Sequence, residues 1–256
     1  MNYYYSGQGS LYIAERDATT GAPKGFIAIG NVPELTLNIE TTKFEHKESE
    51  SGSRLIDLTI IQEKKGTFEF RLENMNLDNL ALGLWGTKAT VAGSTATAEV
   101  IAIPQATPAG MRFPLQRPAV SAVTVKGPSG TPTYVVTDDY TVDAANGVII
   151  LSAGGDIVTA AASAATSIEV DYTYAAHTKV DAFMTAAAPE RWLRFEGINT
   201  VDNKRVIVDL FKAQFDPLTG YALLNEELGS VTMRGALLSD ALRTTGSKFF
   251  RQVNVT

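Results

Sequence analysis

Along much of this chain, hydrophobic side chains recur at every second position. Leu35, Leu37 and Ile39 alternate with Thr36, Asn38 and Glu40, which predicts a strand with one buried face. Phe68, Phe70 and Leu72 alternate with Glu69, Arg71 and Glu73, so residues 67–73 read as a strand whose aromatic side meets a core. Residues 55–61 form the strand between these two. Leu11 and Ile13 flank Tyr12 in an opening strand that follows an uncharged aromatic arm, Tyr3 to Tyr5, and the loosening Gly7 and Gly9. Residues 26–29 make a short strand ended by Gly30-Asn31. Lys64-Lys65-Gly66 reads as a hairpin turn.

Between the strands at 35–40 and 55–61 runs TTKFEHKESESGSR, residues 41–54. It mixes both charge signs with Ser and Gly and is far longer than a minimal hairpin turn. It reads as a long polar loop with Phe44 as its one large apolar anchor. Residues 76–86 predict a short helix capped by Asn76, with Asp78 in the first turn and Gly86 as its stop. Leu77, Leu80, Ala81 and Leu84 form its expected apolar stripe, and Trp85 is expected to close it against a sheet.

Pro104, Pro108 and Pro114 argue against central strands in residues 87–113. A segment of different composition follows, about 115–180. SAVTVKG, PTYVVTD, DYTVDAANGVIIL and SIEVDYTYAA read as successive strands, with Asn146-Gly147 suited to a primed turn. Ile168, Val170, Tyr172 and Tyr174 share one face of the last of these. The first style then returns: Leu193 and Phe195 oppose Trp192, Arg194 and Glu196. Val206, Val208 and Leu210 lead a long strand to Phe215. Residues 228–238 form another strand, and FFRQV closes the chain. The expected division is a discontinuous core, 1–114 with 181–256, and a β-rich insertion or subdomain at 115–180.

With 256 residues the chain can bury a substantial core. A net charge of −6 makes it a poor candidate for wrapping nucleic acid, which needs clustered Lys and Arg. There is no cysteine, which excludes disulfides, thiolate metal sites and a Cys nucleophile. The start, MNYYYSGQGSLYIAE, lacks a basic region followed by an apolar run, so no secretory signal is expected. No stretch has the length of a membrane span; the alanine-rich residues 160–165 are too few.

Catalytic chemistry finds little to work with. The two histidines are His46, in the charged loop, and His177, which has no companion ligand nearby in sequence. No G-x-S-x-G elbow or phosphate-cradling glycine loop occurs. Asp138, Asp139 and Asp143 lack the spacing and terminal Glu of a calcium loop. Phe249, Phe250 and Arg251 interleave aromatics with a base but read better as a terminal strand. No enzyme activity and no catalytic, cofactor or metal residue is expected.

GNVPELTLNIE followed by KFEHKESESGSRLIDLTI, then GTFEFRLENMNLDNLALGLWG, resembles the strand, long loop, strand and short helix of the major tail tube proteins of siphovirus-type bacteriophages and prophages. DDYTVDAANGVIIL with SIEVDYTY resembles an element of one branch of that family. RFEGINTVDNKRVIVDLFKAQFDP, GSVTMRGALLSD and GSKFFRQV resemble its C-terminal block. The resemblance implies an all-β-dominated fold, a β-sandwich or barrel of the tail-tube type with one short flanking helix and an additional β-rich segment that could face outward.

By the same resemblance, six subunits form a ring. Rings stack into a hollow tube around a tape-measure protein, and phage DNA later passes through without sequence-specific binding. A tail-tip or baseplate initiator and a tail terminator are further implied partners. The implied location is the virion tail, assembled in the host bacterial cytoplasm. The loop would bridge subunits or rings through Phe44, Glu45, His46, Lys47, Glu48, Glu50 and Arg54, with Tyr3 and Tyr5 as further contacts. Glu69, Arg71 and Glu73 are candidates for the channel face. Alternatives are a tail terminator, a baseplate ring, a decoration protein or, more distantly, a carbohydrate-binding β module.

Overall fold

A computed structural model of the chain describes residues 4–183 and 186–255. In chain order the elements are β1 (Gly7–Glu15), β2 (Ile27–Ala28), β3 (Glu34–Lys47), β4 (Ile56–Leu72), α1 (Leu77–Gly83), β5 (Thr87–Val91), β6 (Ser94–Ile103), β7 (Arg112–Pro114), β8 (Val120–Lys126), β9 (Tyr140–Asp143), β10 (Val148–Leu151), α2 (Asp156–Ser163), β11 (Thr166–Tyr174), β12 (His177–Asp181), β13 (Glu190–Asn199), β14 (Lys204–Phe215), β15 (Val231–Leu237) and β16 (Phe250–Val255). Strand dominates, as the alternation predicts. The chain forms two compact units. One holds residues up to 88 and from 180 onward, the other residues 89–179.

The first unit is built on one antiparallel sheet in the order β2-β1-β13-β14-β15-β4-β3. β14 uses one edge for two partners: Arg205 to Leu210 pair with β16, and Ala213 to Phe215 pair with β15. The main core lies on the face bearing Leu11, Phe68, Phe70, Leu193, Phe215 and Met233. Phe215, Gly235 and Phe68 fall in one cross-strand row. With no side chain at Gly235, the two flanking rings meet edge to face at 5.0 Å. A Cβ at Gly235 would stand 2.9 Å from the Phe68 ring, so this contact requires glycine.

The opposite face carries a smaller cluster of Ala14, Trp192 and Phe211. Beside it the carboxylate of Asp209 is fully buried. It accepts hydrogen bonds from Trp192 Nε1 (3.3 Å), Arg194 Nη1 (3.2 Å) and Arg251 Nη2 (2.8 Å). A buried carboxylate is tolerated only when its charge and lone pairs are matched in this way. Arg251 lies on β16, so the same group fastens the last strand to the sheet.

Helix α1 starts as expected: the Asn76 side chain accepts from Asn79 N at 2.9 Å. Leu80 of the expected stripe is buried and Ala81 and Leu84 are half-buried, but Leu77 is 36% exposed, and Asn79 and Gly83 join the buried side. Asn79 sets this rotation, because its Nδ2 donates to Ile29 O and Asn74 O. Trp85 Nε1 donates to Phe215 O at 3.2 Å, which ties the helix end to the sheet.

In the second unit two three-stranded sheets, β7-β10-β9 and β6-β11-β8, share one core with α2. Ile168, Val170 and Tyr172 are buried, as the alternation of β11 predicts. Asp139 organises the helix start: Oδ1 accepts from Asp156 N and Oδ2 from Val135 N, both at 2.7 Å.

Several expectations are corrected here. The separate unit begins at Ala89 rather than 115, because residues 87–113 supply β5, β6 and β7. The prolines do exclude central strands, as expected: β6 and β7 are edge strands of their sheets, Pro104 follows β6, Pro114 is the last residue of β7, and Pro108 lies in the loop between them. Residues 132–138 make only isolated bridges at Thr133 and Val136. The β9–β10 loop spans four residues, since Val148 pairs with Asp143; Gly147 has φ 63° while Asn146 is tied to the Asp143 carboxylate. The alanine-rich stretch belongs partly to α2, a second helix that the sequence reading lacked.

Replacing Asp209 with alanine should lower unfolding stability by about 3 kcal/mol, because two guanidinium groups and an indole N–H lose their shared acceptor. Urea denaturation measures this, and a loss below about 1 kcal/mol would show that the carboxylate is not what holds β16.

Candidate assembly surface

The ladder between β3 and β4 runs on after the core has ended. Leu35 and Leu37 pair with Phe70 and Phe68 over the buried face. From Thr41 to Lys47 and from Ile56 to Lys65, every residue is exposed. The result is a two-stranded arm whose β3 side alone is roughly 23 Å long, at about 3.3 Å per residue. Residues 41–47 are therefore strand rather than the expected loop, which is confined to the tip at 48–55. Lys64-Lys65-Gly66 is likewise no turn: it lies inside β4, with Gly66 buried against Leu237.

Two register shifts decide what the arm displays. Thr42 pairs with Glu63 but Lys43 pairs with Ile61, so Gln62 is an extra residue on β4. Phe68, Phe70 and Leu72 are even-numbered and face the core; Leu58 and Ile60 have the same parity. The bulge at Gln62 moves Leu58 and Ile60 to the opposite face, where they pair with His46 and Phe44. Phe44, Leu58 and Ile60 are 47%, 51% and 49% exposed. On the other face Lys43 pairs with Ile61 and Lys47 with Ile56, in line with Ile39 and Lys64. Both faces of the arm are thus uncovered and apolar. The outer edge of β3, the last strand of its sheet, is also unpaired.

The tip is organised by one carboxylate. Glu48 accepts from the Ser51 hydroxyl, and from the N–H groups of Ser51 (2.9 Å), Glu50 (2.7 Å) and Leu55 (3.3 Å). The Ser51 hydrogen bonds, with those of Glu50 and Leu55, hold the Glu48 carboxyl down to about 2. Behind the tip, His46 Nδ1 bonds Asp57 Oδ1 at 2.6 Å across the second shift, and this contact lowers the Asp57 pKa.

The expected contact residues fall into three places. Phe44, Glu45, His46 and Lys47 lie on β3, while Glu48, Glu50 and Arg54 lie at the tip. Tyr5 belongs to the approach to β1, at the other end of the sheet order, and is 62% exposed rather than packed. That approach is held by Asn199, which accepts from Ser6 N and donates to Tyr4 O. Tyr3 lies outside the described residues.

Of the channel candidates, Glu69 and Arg71 stand exposed on the non-core face of β4. Glu69 lies between Thr36 and Arg234, and Arg71 between Glu34 and Thr232, so opposite charges face each other across strands. Glu73 does not continue this row. It lies beyond β4, half-buried, and accepts from Asn31 Nδ2 at 2.6 Å.

Sequence reading missed Ile56, Leu58, Ile60 and Ile61 as surface residues, because an apolar strand is ordinarily assigned to a core. Their unexplained neighbour, a loop with β-branched Thr41 and Thr42, was the available signal.

A trough of about 1050 Å³ in the first unit is lined by Ile13, Phe26, Ile27, Leu82, Trp85 and Pro189. The carboxylates along it have cationic neighbours: Asp78 bonds Lys88 at 2.8 Å, and Glu190 lies 3.3 Å from Lys212. Among the described residues no group of His, Asp and Glu is placed to hold a metal ion, and no helix is long and apolar enough to cross a membrane.

A family model described as "Protein of unknown function UCP028589" matches residues 4–253. No curated protein matches the chain.

Glu48 gives the tip a defined acid response. Its folded pKa is depressed, so its contribution is complete above the ordinary value of 4.5 and is lost as pH falls through about 2. Amide NMR of Glu50, Ser51 and Leu55 should titrate together with a midpoint near 2. A midpoint near 4.5 would show that Glu48 does not hold the tip.

Proposed function

We propose that this chain, which belongs to the family of proteins of unknown function UCP028589, is a structural subunit that assembles into stacked rings as the tail tube of a long-tailed bacteriophage or prophage. The carrying observation is the arm. Ile39, Phe44, Leu55, Ile56, Leu58, Ile60 and Ile61 are each about half exposed or more. Together they present on the order of 600 Å² of apolar surface, close to one side of a stable interface of ~800 Å². A surface of this size, on a projecting two-stranded element, is stabilised by burial against another chain.

Edge chemistry supports the same reading. The open edges of β3 and β16 lie on one sheet, in one copy. Pairing between copies is then heterologous, and such contacts close into rings when the rotation allows. The resemblance supplies the number six. The arm would reach beyond its own ring, to a neighbour or to the next ring of the stack.

The non-core face of β3, β4 and β15 suits a channel wall. Its cations, Lys65, Arg71 and Arg234, stand opposite Glu40, Glu34 and Glu69. Phosphates of passing DNA would meet few unmatched cations, so retention would be weak. In this role the tape-measure protein occupies the tube before DNA does, an initiator at the tip starts assembly, a terminator ends it, and the tube resides in the virion tail.

Negative-stain electron microscopy of the purified chain over a concentration series should show hollow tubes or stacked rings. The double substitution Phe44→Asp and Ile60→Asp should abolish them. It should lower monomer stability by no more than about 2 kcal/mol and leave the core folded, since the pair lies outside the core although two carboxylates then face each other across the ladder. Unimpaired tube formation by that variant, or single rings that never stack, would sink the proposal.

A further inference from the structure

Apolar surface is also uncovered between β14 and β15. Leu223, Leu224 and Leu228 are 76%, 95% and 86% exposed, and Tyr221 is 38% exposed. This stretch has no regular secondary structure. Its two ends are fixed on the first unit: Leu218 N donates to Gly83 O at 2.8 Å, and β15 begins at Val231. Ala222, Leu223, Leu224, Glu226, Glu227 and Leu228 are all good helix formers, yet the segment is too short to hold a helix alone. In helical phase Tyr221, Leu224 and Leu228 would share one stripe, at i, i+3 and i+7.

Charge identifies what would cover it. Between Asp216 and Met233 the chain has three acids, Asp216, Glu226 and Glu227, and no Lys or Arg. The core-side face of the arm has the complementary composition. There Ile39, Ile56 and Ile61 lie in line with Lys43, Lys47 and Lys64, against a single acid, Glu45. None of these lysines has a salt bridge among the described residues. Within one chain the leucines and the isoleucines are both left exposed, so the segment does not cover its own arm.

We infer that residues 221–228 of one copy dock on the lysine-bearing face of the arm of a second copy, leucines against isoleucines and Glu226 and Glu227 against Lys43 and Lys47. The contact gives the arm a receiving surface on the next subunit. It rests on the self-assembly proposed above and names the partner surface for that arm.

A charge exchange tests it, read as the critical concentration for tube formation by light scattering and electron microscopy. Glu226→Lys with Glu227→Lys should raise that concentration ~10-fold or more, and so should Lys43→Glu with Lys47→Glu. The four changes combined should restore assembly to near the parent value. Leu224→Asp with Leu228→Asp should block assembly while leaving the melting temperature unchanged. If the parent forms tubes and neither charge variant alters the critical concentration, the docking is wrong and the assembly reading stands. If the combination fails to rescue, the pairing of these two surfaces is wrong. If the parent stays monomeric at every concentration, both fall. Protection of arm amides by the segment in dilute monomer would also overturn docking on a second copy.

Discussion

One constraint shapes the first unit: the β3–β4 ladder is longer than the core beneath it. Backbone pairing needs only a partner strand, whereas burial needs a second layer of side chains. Over Glu34 to Asn38 both requirements are met, with Phe68, Phe70 and Leu72 closing on Leu193 and Phe215. Beyond Gly66 only the first is met. Two-stranded ribbons are marginal in water on their own, so the outer half of the hairpin borrows its order from the inner half and from its tip. Glu48, holding three N–H groups and a hydroxyl, stands where side-chain packing is lacking.

The bulge at Gln62 gives this extension its character. Without it Leu58 and Ile60 would lie on the core side, and the far face would carry Ile61, Thr59 and Asp57 beside Phe44. With it, Leu58 and Ile60 join Phe44 on the face that, nearer the body, carries Glu34, Thr36, Glu69 and Arg71. One sheet face therefore changes along its length from paired charges to exposed hydrocarbon. Under the proposed function these are two tasks on one surface: a wall past which DNA slides, and an adhesive end that meets another subunit. Separating them requires only one extra residue in one strand.

The parts of the fold legible in the sequence were those where burial is one-sided. Alternation identified the inward rows of β4 and β11, because each faces a core on one side and more polar surroundings on the other. The arm was misread for the opposite reason. Thr41 to Lys47 is exposed on both faces and so has no alternation to detect, and Ser and Gly at the tip extended the appearance of a loop backwards into the strand. Helix α2 escaped because alanine-rich residues were weighed only as a membrane span. The stripe of α1 erred at Leu77 and omitted Asn79, a polar residue that two carbonyls anchor inside. Of the candidate contact residues, Phe44 to Lys47 were expected on a loop and lie instead on the exposed part of β3. Their apolar partners Leu58 and Ile60 could be placed only once the register was known.

Polar and apolar interactions are completed to different degrees in this molecule, and the difference supports the assembly reading. Asp209, buried beyond any contact with water, has three donors; Asp139, nearly as buried, has the two N–H groups that start α2 and order its neighbour. The side chains of Arg16 and Asp240, also buried, face each other at 2.8 Å. Hydrocarbon, by contrast, is left open in quantity on the arm and at Leu223, Leu224 and Leu228. Uncovered hydrocarbon on this scale points to a surface completed by another chain. Because arm and leucine segment occur in every copy, one kind of subunit can supply both halves of such contacts, which is the requirement for a homopolymer that grows by repetition of a single step.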